Sequence, residues 1–139
     1  MDDFPFSGLT TDVDAVPVVD IGAGCTRRDL PSAPGVRVWV VDIAPGAAWP
    51  SVDLHTDAEC VFVVSGTLVE AGREYPPGTY VRFDRGSSHR PSSPDGVRLF
   101  GVNYEPRSPD ADRAELGRRS TGAFPESGAA PTNHRRIKR

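Results

Sequence analysis

Three side chains that resist burial stand beside apolar runs in this 139-residue chain. In DLHTDAECVFVVSG, residues 53–66, His55 precedes Glu59 by four positions, and Glu59 leads into a run of apolar β-formers. In DRGSSHRP, residues 84–91, His89 follows a Gly-Ser-Ser turn. A lone histidine at a strand end is more often a hydrogen-bonded core or surface residue than a ligand. An isolated buried carboxylate, however, is costly unless it is paired or bound to a metal. Two imidazoles and one carboxylate together form a set that suits a borderline divalent metal. Neighbouring strands lie about 4.8 Å apart, which lets three such side chains converge.

The elements that must carry these groups read as short strands. Segments 16–21 (VPVVDI), 36–43 (VRVWVVDI), 59–65 (ECVFVVS), 67–70 (TLVE), 79–84 (TYVRFD) and 97–103 (VRLFGVN) are rich in Val, Ile, Phe and Tyr. Gly, Pro, Ser and Asp clusters such as APGAAWP, YPPG, DRGSS and SSPDG separate them, and no stretch repeats at helical spacing. This rhythm predicts an all-β sandwich or barrel. Alternation along 59–65 puts Glu59, Val61 and Val63 on one face and Cys60, Phe62 and Val64 on the other. Both faces are largely apolar, so the strand is expected to be central. Arg82 and Arg90 flank the second histidine, where bidentate bonds would orient an anionic substrate; a surface position is the alternative. Tyr80 shares a strand face with Arg82. Trp39 and Trp49 read as wall packing. GAGC at 22–25 lacks the Gly-Lys-Ser/Thr context of a phosphate loop.

Composition narrows the function classes. Apolar residues make up 37% and the net charge is −3, as in an ordinary soluble domain. With neither a long apolar run nor a charged-then-apolar leader, no membrane partner is expected and the default compartment is the cytoplasm. Cys25 and Cys60 lack the spacing of a zinc knuckle or redox pair and are expected to be reduced. Residues 1–105 carry 8 basic against 15 acidic side chains, whereas 106–139 carry 8 against 4. The shift marks a boundary near Glu105: beyond it lies a basic tail (106–139) with a short helix near 109–119, and before it an N-terminal arm with one strand (1–34) leads into the barrel (35–105). The closing HRRIKR has no interleaved aromatics and the body is acidic, so no nucleic-acid partner is expected.

The two histidine segments resemble the cupin superfamily. Its first motif is His-x-His, three or four residues, Glu, six residues, Gly; here His55, Glu59 and Gly66 keep that spacing. Its second is Gly, five residues, Pro-x-Gly, two residues, His; here Gly78, Gly86 and His89 keep it, with Asp84 in place of Pro. Within the superfamily, YPPGTYVRFDRGSSHRPSSPDG is most similar to the ChrR-like cupins, over roughly residues 35–105. The resemblance implies a double-stranded β-helix with metal ligands at His55, Glu59 and His89. Asp53 stands where the first histidine of the pair is expected, and Ser93 where a late Asn is expected. Aspartate oxygen also binds such metals, so Asp53 is a fourth candidate ligand and a candidate general base.

The function these residues and the resemblance imply is that of a metal-dependent enzyme acting on a small organic molecule. Two imidazoles and a carboxylate on Fe2+ leave positions open for dioxygen chemistry, and ChrR-like relatives include dioxygenases that cleave bonds next to carbonyls. A non-oxidative lyase, isomerase or cyclase using Zn2+, Mn2+ or Ni2+ would need the same pocket. A sensor cupin that binds a ligand without catalysis is a third reading, with His55 and His89 in a metal-free polar network with Glu59 and Asp53. Residues 1–34 hold one Cys and no His, so the zinc-binding sigma-factor module of ChrR itself is not expected. An exposed sheet edge usually finds a cover, which predicts a homodimer in which 16–21 helps cover a sheet.

Overall fold

The computed structural model describes residues 8–105. Alternating apolar positions cut by Gly and Pro turns produce, among these residues, ten strands and one 3-10 turn at Val13–Ala15. The strands are β1 (Val19–Gly22), β2 (Cys25–Leu30), β3 (Val36–Ile43), β4 (Asp53–Leu54), β5 (Ala58–Gly66), β6 (Leu68–Glu70), β7 (Arg73–Tyr75), β8 (Tyr80–Phe83), β9 (Ser88–His89) and β10 (Val97–Tyr104). Six pair in the order β1-β2-β3-β10-β5-β8, and β4-β9 and β6-β7 form two smaller ladders. Every pairing is antiparallel. Bridges from Ser92 to Ala48 and to Val69 link the small ladders. The result is the all-β double-stranded β-helix.

Odd-numbered residues Trp39 to Ile43 of β3, Glu59 to Val63 of β5 and Val97 to Asn103 of β10 face inward. Trp39, Val41, Ile43, Val61, Val63, Val97 and Leu99 form one buried cluster with Cys25 and with Leu68 of β6. Burying a large aliphatic side chain stabilises by about 1.5–3 kcal/mol, so this layer holds the large sheet against the small ladders. Gly66 ends β5 at φ +78, and a Cβ there would run into the carbonyl of Gly96. Only glycine lets β5 pass so close to the turn that starts β10.

β3 occupies its expected range, and the expected strand at 59–65 lies within β5. The predicted alternation along β5 is observed, but the expectation of two covered faces is not: β5 sits between β10 and β8, yet Phe62 and Val64 are 42% and 46% exposed. With Phe100 and Tyr80 they make an apolar patch on the outer side of the sheet. The N-terminal arm holds two strands rather than one. Segment 16–21 becomes β1 from Val19, then reverses through Gly22, Ala23 and Gly24, all at positive φ, into β2. GAGC is thus a hairpin turn. β2 is inconspicuous in the sequence because Arg27 borders the cavity and exposed Asp29 pairs with it, so TRRD shows no apolar alternation. β1 pairs with β2 on one side and is an outer strand of the six-stranded sheet, with no strand on its other edge among the described residues. No helix among the described residues is long and apolar enough to cross a membrane. The helix expected at 109–119 and the basic tail lie outside the described residues.

Candidate metal centre

Three local pairings bring the polar strand ends together. Glu59 is the second residue of β5, on its inner face, opposite Phe83 on one side and Asn103 on the other. Asp53 pairs with His89 across the β4-β9 ladder. The backbone N–H of His55 donates to the Ser87 carbonyl at 2.8 Å, and its carbonyl accepts from the Gly86 N–H at 2.8 Å. The Gly-Ser-Ser turn that precedes His89 is therefore docked on the backbone of His55. One hydrogen-bonded unit sets both imidazoles.

One ligand atom from each of Asp53, His55, Glu59 and His89 lies within 4.8 Å of the others. His55 Nε2 is 3.3 Å from Glu59 Oε2, and His89 Nε2 is 3.5 Å from both Glu59 Oε2 and Asp53 Oδ2. Ligands about 2.1 Å from a common ion at tetrahedral or octahedral angles stand roughly 3.0–3.4 Å apart, so the spacing fits a metal. The polar-network alternative fits less well. His55 Nε2 and Glu59 Oε2 are buried and 3.3 Å apart, yet neither makes a hydrogen bond of good geometry with the other or with a third group, a state that costs about 1–3 kcal/mol per group when nothing else satisfies it. A cation at their meeting point satisfies both.

Two further residues support this set. Glu70 Oε1 accepts a hydrogen bond from His89 Nδ1 at 2.6 Å, which leaves Nε2 for the metal side of the ring. Burial acts to lower the His89 pKa, but the carboxylates of Glu59 and Glu70 outweigh it and lift the value to about 9. Phe83 packs against both histidines, with ring centroids 5.1 Å from His55 and 4.2 Å from His89. Neither residue was evident from the sequence. Glu70 closes a strand on a different ladder, and its only signal was an acid at an inward strand end.

The four donors line a cavity of about 220 Å³. Trp39, Val41, Val61 and Leu99 supply apolar wall, joined by Trp49, and Arg27, Arg37 and Asn103 add polar groups. The residues expected to orient substrate stand elsewhere. Tyr80 and Arg82 project from the outer face of the sheet, where the Tyr80 hydroxyl meets Cys60 Sγ at 3.1 Å and Arg82 pairs with Asp84 at 3.3 Å. Arg90 is exposed and donates to the Trp49 carbonyl. Strand parity decides the matter: Arg82 opposes Cys60, an outward position, whereas Arg37 opposes Asn103, an inward one. Ser93 is buried and donates to the Thr67 carbonyl, so it serves packing rather than the cavity. Cys25 and Cys60 are both free thiols.

A double-stranded β-helix with a His-, Glu- and Asp-lined centre at one end of its interior defines a cupin. The chain belongs to the ChrR Cupin-like domain family, which matches residues 7–106. That span exceeds the 35–105 of the motif resemblance because β2 hydrogen-bonds along β3 and is part of the barrel. No curated protein matches. Among solved structures, an RmlC-like cupin from Shewanella frigidimarina is 20% identical with a TM-score of 0.62, covering 73% of this chain and 95% of that one. A protein described as a putative acetylacetone dioxygenase, from Methylibium petroleiphilum, is 16% identical with a TM-score of 0.62, covering 79% and 88%. The anti-sigma factor ChrR of Rhodobacter sphaeroides, in complex with SigE, is 18% identical with a TM-score of 0.60, covering 66% of this chain and 50% of ChrR. At these identities the likeness is one of fold.

Proposed function

We propose that this protein is a metal-dependent enzyme acting on a small organic molecule, with dioxygenase-type oxidation of a carbonyl compound as its reaction. The observation that carries the reading is the pair of buried donor atoms that make no hydrogen bond, His55 Nε2 and Glu59 Oε2, at a half-open cavity. A bound divalent ion, Fe2+ in this reading, supplies Lewis acidity to substrate oxygens and electrons to dioxygen. His55, Glu59, His89 and Asp53 hold it, and Glu70 fixes the ring of His89. Trp39, Val41, Val61 and Leu99 keep water from the carbon skeleton of the substrate. Asp53 is the most exposed of the four, its side chain 42% accessible, and stands where a carboxylate can accept a substrate proton.

That same placement of Asp53 favours a second reading, in which proton movement alone drives a lyase or isomerase reaction with Zn2+, Mn2+ or Ni2+. Elemental analysis of protein purified without chelators tests the site itself. Wild type is expected to hold about one metal per chain, and His89→Ala and Glu59→Ala to lose it; wild-type metal in both variants would refute the assignment. Oxygen uptake with 1,3-diketones and hydroxyketones then tests the reaction. Turnover that persists without dioxygen selects the second reading.

A further inference from the structure

One inward row of the large sheet reads Arg37, Asn103, Glu59, Phe83 across β3, β10, β5 and β8. Glu59 belongs to the metal centre, so Arg37 lies two strand spacings, about 10 Å of backbone, along the same floor. Both residues line the one cavity. Arg27 also reaches it, but Arg27 is held by Asp29 at 2.9 Å. Arg37 is exposed, at the start of the same strand face as buried Trp39, Val41 and Ile43, and has no carboxylate partner among the described residues.

Between Arg37 and the metal centre stands Asn103, 7% exposed. The Trp39 indole N–H donates to its Oδ1 at 2.6 Å. An indole nitrogen only donates, so the oxygen of the amide must face it and the NH2 group must face away. That NH2 meets no acceptor among the described residues, and the side chain borders the cavity. Gly101 holds the arrangement in place, because a Cβ there would enter the Trp39 ring. Trp39 thus lies flat over β10 with its N–H aimed at Asn103. A fixed pair of donors and a guanidinium without a carboxylate partner make a receptor for an oxyanion.

We propose that the substrate is an organic anion that meets the metal through oxygen at one end and carries a carboxylate bound by Arg37 and the Asn103 amide at the other. The inference rests on the metal-centre reading for the first contact only. A cavity of about 220 Å³ is somewhat smaller than the ~300–1,000 Å³ of pockets for drug-sized ligands, which suits a short-chain ligand.

The test uses protein as purified, with its metal, and two matched seven-carbon probes. 4,6-Dioxoheptanoate and heptane-2,4-dione share a 1,3-diketone and differ in a terminal carboxylate against a methyl. Wild type is expected to bind the carboxylate probe about tenfold or more tightly than the neutral one, the scale of a hydrogen-bonded charge pair. Arg37→Leu should abolish that preference and leave metal content and heptane-2,4-dione affinity unchanged. Asn103→Asp keeps an acceptor for Trp39 but turns the donors into an anion, so it should reverse the preference. Equal binding of the two probes by wild type, a preference that survives Arg37→Leu, or no binding of either probe overturns the proposal. Arg37-dependent preference in a protein that contains no metal supports the anion end and overturns the metalloenzyme reading instead.

Discussion

Glu70 borders the cavity and holds the ring of His89, so its removal tests how far that hydrogen bond tunes the metal centre. Its carboxylate accepts from His89 Nδ1 at 2.6 Å, with the two side chains only 11% and 10% exposed. A hydrogen bond involving a charged group in such a place is worth about 1.5–3 kcal/mol. At ~1.4 kcal/mol per factor of ten, loss of that orientation weakens metal binding about 10- to 100-fold, the range general for groups that orient a ligating histidine. Glu70→Ala is expected near the upper end. Glu70→Gln retains an acceptor without the charge and is expected near tenfold. Competition of Zn2+ between each variant and a chromophoric chelator measures this directly. The pH dependence supplies a second readout. In metal-free protein His89 has a pKa of about 9, raised above its unfolded value near 6.5, so its stabilising contribution is full below about 6.5 and is lost as pH rises through about 9. Glu70→Ala removes one of the two carboxylates that lift the value, so the loss should begin at lower pH. Metal competes with that proton, and wild-type affinity should climb with pH up to about 9. Wild-type metal affinity in Glu70→Ala, with an unchanged pH profile, would refute the role assigned to Glu70.

Two further outcomes are expected. Asp53→Asn should weaken metal binding while Asp53→His retains it, as measured by metal stoichiometry. Normal metal in both with turnover lost would make Asp53 a base, and an Asp53→Asn variant with full metal and activity would give it no part in the mechanism. Light scattering at tens of micromolar should show a homodimer formed through the outer sheet face, since contiguous exposed apolar groups such as Phe62, Val64, Phe100 and Tyr80 mark association surfaces. Phe62→Asp should yield monomer, and a monomeric wild type would sink the idea.

The barrel was legible because its apolar strands alternate at period two, and the centre was legible because His55, Glu59 and His89 sit at motif spacing on either side of Gly66 and Gly86. β2 was hidden for the opposite reason. A strand that borders a polar cavity carries Arg27 there, with exposed Asp29 paired to it, which erases the alternation that announces a strand. The arginines chosen from the sequence stand away from the metal centre for a different reason. Arg82 and Arg90 lie near His89 along the chain, but proximity in sequence does not fix the face, and β8 turns Arg82 outward. Arg37 lies 22 residues from Glu59 and joins it only through two ladders with β10 as the intermediate. No local pattern carries that pairing. Glu70 is a similar case, since its partner His89 lies 19 residues away on a separate ladder.

The departure at Asp53 and the guanidinium at Arg37 bear on one another through charge. A carboxylate in place of a neutral imidazole lowers the charge of the centre by one unit, so Glu59 and Asp53 together neutralise a divalent ion. Glu70, hydrogen-bonded to His89, adds a further negative charge close by. A centre of this kind attracts an anionic substrate less than three imidazoles and one carboxylate would, and its Lewis acidity is lower. In the proposed reading, long-range attraction for an anion comes from Arg37, two strands along the same floor. One row of the cavity thus carries an acidic ligand at one end and a guanidinium at the other, against the apolar wall of Trp39, Val41, Val61 and Leu99. A carboxylate-bearing substrate is favoured in one orientation: its charged end is repelled from Asp53 and drawn to Arg37, which presents its opposite, uncharged oxygens to the metal. In Arg37→Leu that orienting field is lost, and adding a positive charge at Asp53 by Asp53→Lys would not restore it, because the attraction would then arise at the wrong end.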